Sequence, residues 1–233
     1  KSLSDHHSIH VIYISQQGQW LMINDSESFI NFQAEELPLQ EALSHQTIAL
    51  HPCSSNGSIV NASNNKPYPI DIIFPIFHGS FGEDGCLQGL LNMLNMPFIG
   101  SSPLGASIAM DKALSKSLVS QKNIHVAQHL VATHAERPTT KQVRSELGFP
   151  VFVKPNHLGS SLGVNCVTDE SQLNACIDHA LTMDQQVLIE KAITGREIEC
   201  SILEANGSIH AGIPGEIQSP NGFYSFNEKY LEQ

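Results

Sequence analysis

The sequence predicts an α/β protein, and three observations carry that prediction. Ile70 to Phe77 is an apolar run of strand length, broken only by Asp71 and Pro75, as in a strand buried on both faces. Leu87, Leu90, Leu91 and Leu94 then recur at helical spacing. Further on, the strand-like Pro150–Lys154 and Val164–Val167 are followed by a helical pattern over Ser171–Leu181.

In chain order, Ile9–Ile14 reads as a strand, and Gln16-Gln17-Gly18 turns the chain into a second short strand at Trp20–Ile23. Asn24 to Tyr68 is polar and poorly periodic, which predicts loops with one short helix near Pro38–Leu43. Ile70–Phe77 is taken as a buried parallel strand, Gly85–Leu94 as a helix capped by Asp84, and Pro97–Gly100 as the next strand. Helices are expected at Ala106–Ala109, Lys112–Gln121 and Thr139–Leu147. Strands are expected at Val187–Glu190, Glu197–Leu203 and His210–Gly215, and a long loop over Gln218–Gln233.

Bulk properties narrow the function classes. A formal charge of −11, with 12 Lys+Arg against 23 Asp+Glu, argues against a nucleic-acid surface, which needs clustered cations. Cys53, Cys86, Cys166, Cys176 and Cys200 are scattered and form no CxxC pair, which predicts a reducing compartment and no zinc site. No apolar run reaches membrane-spanning length, so the expectation is a cytoplasmic protein without membrane association. The 12 histidines are dispersed, and His6-His7 sits in a polar stretch, so no metal site is assigned.

The strongest motif is Val151 to Val164, VFVKPNHLGSSLGV. A strand ends in Lys154 and opens into a loop of Gly159, Ser160, Ser161 and Gly163. Small residues let backbone amides approach an anion closely, and a fixed cation beside them suits a polyphosphate. No Gly-Lys-Ser/Thr follows, so it is not a Walker A loop. Phe77 to Gly85, FHGSFGEDG, closes the strong strand; a tight turn accounts for its glycines and for Asp84, but not for His78 and Glu83. Met110-Asp111-Lys112 opens an amphipathic helix and by itself reads as an ordinary solvated start. Leu188 to Glu197, with Glu190, Lys191, Ile193 and Glu197, reads as strand, hinge and strand, able to meet a base edge and ribose hydroxyls or to be a plain connection. Phe223 to Tyr230 reads as an aromatic lid loop or a loop held by aromatic packing.

Taken together, the chain resembles the D-alanine–D-alanine ligases of the ATP-grasp superfamily. The resemblance rests on Phe77–Gly89, Pro97–Ser101, Met110–Lys112, Val151–Val164, Gly195–Cys200, Gly215–Ile217 and Lys229-Tyr230. It implies an ATP-grasp fold preceded by a parallel-sheet α/β domain. The segments are 1–100 for a substrate domain, 101–188 for a central nucleotide subdomain and 189–233 for the start of a second nucleotide domain with its lid. It further implies ATP-dependent ligation of two D-alanines through an acyl phosphate for peptidoglycan precursors, with ATP and Mg2+ and a homodimer. By the same resemblance Lys112, Lys154 and Lys229 contact the ATP phosphates, with Ser160 and Ser161 on the loop facing them. Glu190, Lys191 and Ile193 frame the adenine and Glu197 binds the ribose. Ser160 and Tyr230 are the catalytic serine and lid tyrosine, and His78 and Glu83 serve the first D-alanine.

The family's opening glycine-rich loop and its closing arginine and magnesium ligands have no counterpart in these 233 residues. The expectation is that both end domains are incomplete and that these residues alone do not turn over; D-alanine-dependent phosphate release from them would refute it. The alternatives are a ligase taking D-lactate or D-serine as second substrate, and a non-enzymatic ATP-binding remnant. Dipeptide formation with each co-substrate separates the first alternative, and ATP affinity without turnover marks the second.

Overall fold

The computed structural model describes residues 6–15, 17–24, 45–52 and 59–217. The chain divides into two compact units, one of Lys1–Pro75 with Gln88–Gly100, the other of Ile76–Leu87 with Ser101–Gln233. The described parts of the two are mixed α and β.

The first unit contains an antiparallel sheet in the order β1 (Ile12–Ile14), β2 (Trp20–Ile23), β3 (His45–Leu50), β4 (Ile59–Asn61). Ile12 pairs with Met22, Leu21 with Thr47, and Ile48 with Asn61. Gly18 makes the first turn possible: its φ is +77°, and its N–H donates to Ser15 O (2.9 Å). Leu21, Met22, Ile23, Ile48, Ile59 and Val60 are buried.

Strands β3 and β4 lie where the polar sequence predicts loops. His45-Gln-Thr-Ile-Ala-Leu50 is held by ladders on both edges although its first three residues are exposed, so partner strands override weak local signals. The helix expected near Pro38–Leu43 lies outside the described residues.

The apolar run Ile70–Phe77 is a correction. It is not a buried strand: Ile72, Phe74 and Ile76 are 55, 58 and 78% exposed. Its parallel pairing survives as one bridge, Ile73 with Phe98, where Ile73 N–H donates to Pro97 O and Ile99 N–H to Ile73 O (both 2.9 Å). Pro75 has no N–H to extend that ladder. The strand expected at Pro97–Gly100 is reduced to the same bridge. Helix α1 (Cys86–Met93) forms as expected, with Leu87, Leu91 and Leu94 buried at helical spacing.

The second unit is built on an antiparallel sheet in the order β5 (His129–Thr133), β8 (Gln186–Lys191), β6 (Val151–Pro155), β7 (Asn165–Val167). Its strands alternate, so two faces separate cleanly. Ala132, Val151, Val153, Val167, Val187 and Ile189 face a core with Val143 of α4 (Thr140–Glu146) and Leu173, Ile177 and Ala180 of α5 (Leu173–Leu181). The opposite face carries Phe152 and Lys154 of β6 and Leu188 and Glu190 of β8. The sequence reading contained no β5, and α5 begins two residues later than expected, after a 3-10 turn at Glu170–Gln172.

Helices α2 (Pro103–Met110) and α3 (Lys112–Ser120) follow each other directly. Ser102 and Asp111 cap them, accepting from Gly105 N–H (3.1 Å) and Leu114 N–H (2.9 Å). Beyond β8, the two strands expected at Glu197–Leu203 and His210–Gly215 are four short ones: β9 (Glu197–Glu199), β10 (Ile202–Ala205), β11 (Ser208–Ala211) and β12 (Gly215–Ile217). They pair as two ribbons, β10 with β11 and β9 with β12.

Candidate functional site

Strand β6 ends by delivering Lys154 on the sheet face opposite the core, and the chain then enters the loop 156–164. Leu162 N–H donates to Gly159 O (3.0 Å) and Val164 N–H to Ser161 O (3.3 Å), so the loop is two overlapping turns. Ser160 and Ser161 both hold positive φ, +52° and +58°. Two consecutive non-glycine residues in that region cost about 1 kcal/mol or more each, and such strain clusters at functional sites. Nothing in the residue types reveals it.

Gly163 is required by both conformation and space. Its φ is +71°, and a Cβ there would lie 2.8 Å from Met183 Sδ and 2.9 Å from Pro155 Cγ. Gly163→Ala is expected to lower stability by about 2 kcal/mol, since the proline ring cannot yield. A wild-type urea midpoint would contradict this.

A buried asparagine ties the loop to α3. The Asn156 side chain accepts from Ala113 N–H (2.9 Å) and donates to Asp111 Oδ1 and Gln186 Oε1 (both 2.8 Å). The Asn156 backbone carbonyl accepts from Lys112 Nζ (3.0 Å), which also donates to Leu158 O. The ammonium of Lys112 therefore sits at the base of the glycine-serine loop. His157 lies between two carboxylates, with Nδ1 3.0 Å from Asp184 Oδ1 and Nε2 3.4 Å from Asp111 Oδ2.

The second cluster is ionic. Glu190 of β8 pairs through one oxygen with Lys154 and through the other with Lys116 of α3. Glu190 is 7% exposed. Burial pushes its carboxyl up, but Lys154 and Lys116 outweigh that and hold it below the ordinary carboxylate range. Lys112 is lowered as well, which for an ammonium disfavours the charged form: burial and the neighbouring Lys154 lower it, against the pull of Asp184, Asp111 and Glu190. Lys112, Lys116 and Lys154 are thus set against Glu190, Asp111 and Asp184, and an anion brought between Lys112 and Lys154 would relieve the crowding of those two cations.

Asp111 and Asp184 are also held below the ordinary range. Burial raises both, while hydrogen bonds outweigh it: Leu114 N–H and Asn156 on Asp111, and the ring and N–H of His157 on Asp184. Depressed carboxylates stabilise the fold above their unfolded values near pH 4, and that contribution is lost as pH falls through the lower folded values. Resistance to urea is therefore expected to fall below about pH 4, and Asp184→Asn to flatten that acid limb. An acid limb as steep as wild type in Asp184→Asn would contradict the assignment.

The remaining predicted residues are placed differently. The Glu83 carboxylate accepts from Gly79 N–H (2.5 Å) and Asp84 from Phe81 and Cys86 N–H (2.8 and 3.0 Å), so both carboxylates brace their own turn. That turn is bonded to α2 through Ser107 Oγ and Asp84 O (2.6 Å). His78 is exposed, and neither His78 nor Glu83 bonds to the lysine cluster. Lys191 N–H is committed to Gln128 O (2.9 Å), Ile193 is 69% exposed, and Glu197 is exposed on β9. Lys229 and Tyr230 lie outside the described residues.

Among the described residues no group of three or more His, Cys, Asp or Glu is arranged to hold a metal ion. Both oxygens of Glu190 already meet lysines. These residues therefore do not fit the Mg2+ that the resemblance implies. No described helix is long and apolar enough to cross a membrane.

Sequence reasoning missed Lys116, Asn156, His157 and Asp184. Lys116 had a signal, its position one turn after Lys112 on the same helix. Asn156 had none, because an asparagine in a loop is ordinarily a solvated turn residue.

The chain is similar to known proteins over nearly its whole length. The family model "D-ala D-ala ligase N-terminus" matches residues 1–101 and "D-ala D-ala ligase C-terminus" residues 118–233. The chain is 39% identical over 232 residues to the D-alanine–D-alanine ligase of Shouchella clausii, covering 98% of this chain and 62% of that protein. It is 39% identical over 225 residues to D-alanine–D-alanine ligase A of Escherichia coli K12, covering 94% and 61%. The solved D-alanine–D-alanine ligase of Coxiella burnetii superposes at a TM-score of 0.79 with 31% identity, covering 90% of this chain and 60% of that one. The VanG D-Ala:D-Ser ligase of Enterococcus faecalis does so at 0.80 with 28% identity, covering 98% and 65%. The chain thus spans about 62% of the length of the curated relatives it matches. A lysine-ended strand opening onto a strained Gly-Ser-Ser loop, with matches across nearly its whole length, makes this chain a member of the D-alanine–D-alanine ligase family.

Proposed function

We propose that the protein joins two D-alanines at the expense of ATP, for peptidoglycan precursors. The observation that carries this is Lys112 bonded to the Leu158 carbonyl of the strained loop and Lys154 on the strand that opens into it, with membership of the family. A free carboxylate is a poor acyl donor. ATP phosphorylates the first D-alanine carboxylate and ADP leaves. The amine of the second D-alanine attacks the acyl phosphate, and the tetrahedral intermediate expels phosphate.

In this reading Lys112 and Lys154 meet the ATP phosphates, with Ser160 and Ser161 presenting the loop to them. Glu190, Lys191 and Ile193 frame the adenine and Glu197 the ribose. Lys229 and Tyr230 belong to the lid that excludes water from the acyl phosphate, and Ser160 is the catalytic serine that meets it. His78 and Glu83 support the first D-alanine, Glu83 through the turn it braces. Segments 1–100, 101–188 and 189–233 are the substrate, central and second nucleotide domains, and the protein is a cytoplasmic homodimer; the magnesium that accompanies ATP would be held by residues other than the described ones.

The test is ATP-dependent dipeptide synthesis by the full-length protein carrying this sequence. D-Alanyl-D-alanine with stoichiometric phosphate is expected; ATP binding without product would favour a nucleotide-binding remnant instead. The similarity to a D-Ala:D-Ser ligase makes D-serine the competitor to run beside D-alanine, with D-lactate as the third arm. Preferential D-serine or D-lactate incorporation would overturn the choice of second substrate.

A further inference from the structure

Lys116 has no role in the reaction described above, yet it occupies one whole side of the Glu190 carboxylate. It stands one turn after Lys112 on α3, so both project from the same helix face. Glu190 lies on the non-core face of the sheet and faces charged or titratable side chains from the elements beside it. Lys154 comes from β6, Lys116 and Lys112 from α3, and His129 is its cross-strand partner on β5. The side chains of Lys116, Lys154 and Glu190 are 19, 21 and 9% exposed, so the pairing is largely removed from water.

Such a cluster has a problem when a phosphate arrives. Lys154 holds Glu190, and it cannot serve a phosphate fully without loosening that grip. With a single lysine, the exchange would strand a buried carboxylate, which must then keep an unfavourable charge or take up a proton. A second lysine on the other oxygen removes the difficulty. We propose that Lys116 is a positioning residue that stays on Glu190 while Lys154 exchanges the carboxylate for a nucleotide phosphate. Glu190 then remains ionised and in place, an acceptor for the amino group of the base. This rests on the nucleotide-site reading above and adds a residue and a mechanism of partner exchange to it.

Proton linkage is the signature, because a merely structural lysine would not produce it. Titration calorimetry with a non-hydrolysable ATP analogue, on the full-length protein in buffers of different ionisation enthalpy, reads protons taken up on binding. Wild type is expected to show the uptake due to the nucleotide alone. Lys116→Met is expected to bind roughly tenfold more weakly at about pH 8, to take up close to one further proton, and to recover affinity toward about pH 6.5. Lys116→Arg should restore the wild-type pattern. In a Glu190→Gln background, Lys116→Met should change affinity less than about twofold, since the carboxylate it serves is gone.

Lys116→Gln is a second variant that leaves the Lys154–Glu190 pair to hold the fold, and it should behave as Lys116→Met does. Unchanged affinity, or weaker binding without the extra proton, overturns the proposal while the nucleotide site stands. An equal loss in the Glu190→Gln background also overturns it. A wild-type protein that binds no nucleotide overturns the site reading and this inference with it.

Discussion

Lys154→Ala is expected to weaken ATP binding by roughly 100-fold or more, the effect of removing a partly buried cation from a phosphate. The loss has two sources. Lys154 stands on the strand that opens into the glycine-serine loop, where in the proposed site it meets a phosphate, and it holds one oxygen of Glu190. After the substitution Lys116 still neutralises Glu190, so the fold is expected to persist while affinity falls. Calorimetry with ATP, alongside a urea unfolding curve, separates the two. Unchanged affinity would remove Lys154 from the site; equal losses of stability and binding would make it structural.

Asn156→Ala should cost about 3–5 kcal/mol of stability, because it strips partners from three groups around a fully buried side chain. Ala113 N–H, Asp111 Oδ1 and Gln186 Oε1 each lose a hydrogen bond in a place with little water to replace it. Asn156→Asp is expected to be worse at neutral pH, since it sets a second carboxylate against Asp111. Denaturant unfolding of the three proteins checks this ordering. A loss below about 1 kcal/mol in Asn156→Ala would mean that the α3 start and the loop are held by something else.

The second sheet shows how far local pattern reaches. Val151, Val153 and Val167, and Leu173 and Ile177 of α5, announce themselves by strand alternation and helical spacing, and all are fully buried as that pattern requires. Ile70–Phe77 has the stronger apolar signal and still fails as a buried strand. Hydrophobicity records what would be favourable to bury; whether a strand forms depends on a ladder partner, and here Ile73 alone has one. His45–Leu50 is the converse, a polar segment made into a strand by two neighbours.

The site divides the same way. Lys154 and the run Gly159–Gly163 are legible because glycine and lysine in such places have few structural uses, whereas Lys112 by itself reads as an ordinary helix start and is picked out only by the resemblance. The resemblance extends that legibility to Glu190 and Ser160, by pattern and not by physics. Asn156, His157 and Asp184 are invisible and Lys116 shows only its spacing from Lys112, because each is an ordinary residue whose partner lies dozens of positions away.

The order of residues alone determined the α/β class and the presence of a lysine-flanked glycine-serine loop, through local conformational preference and spacing along the chain, and it carried the family through the resemblance of its motifs. Only the tertiary structure decided that one carboxylate is shared by two lysines, that an asparagine anchors the loop to α3, and that two serines carry positive φ. Those facts arise from contacts between segments brought together by burial of the sheet's other face, and no local preference encodes them.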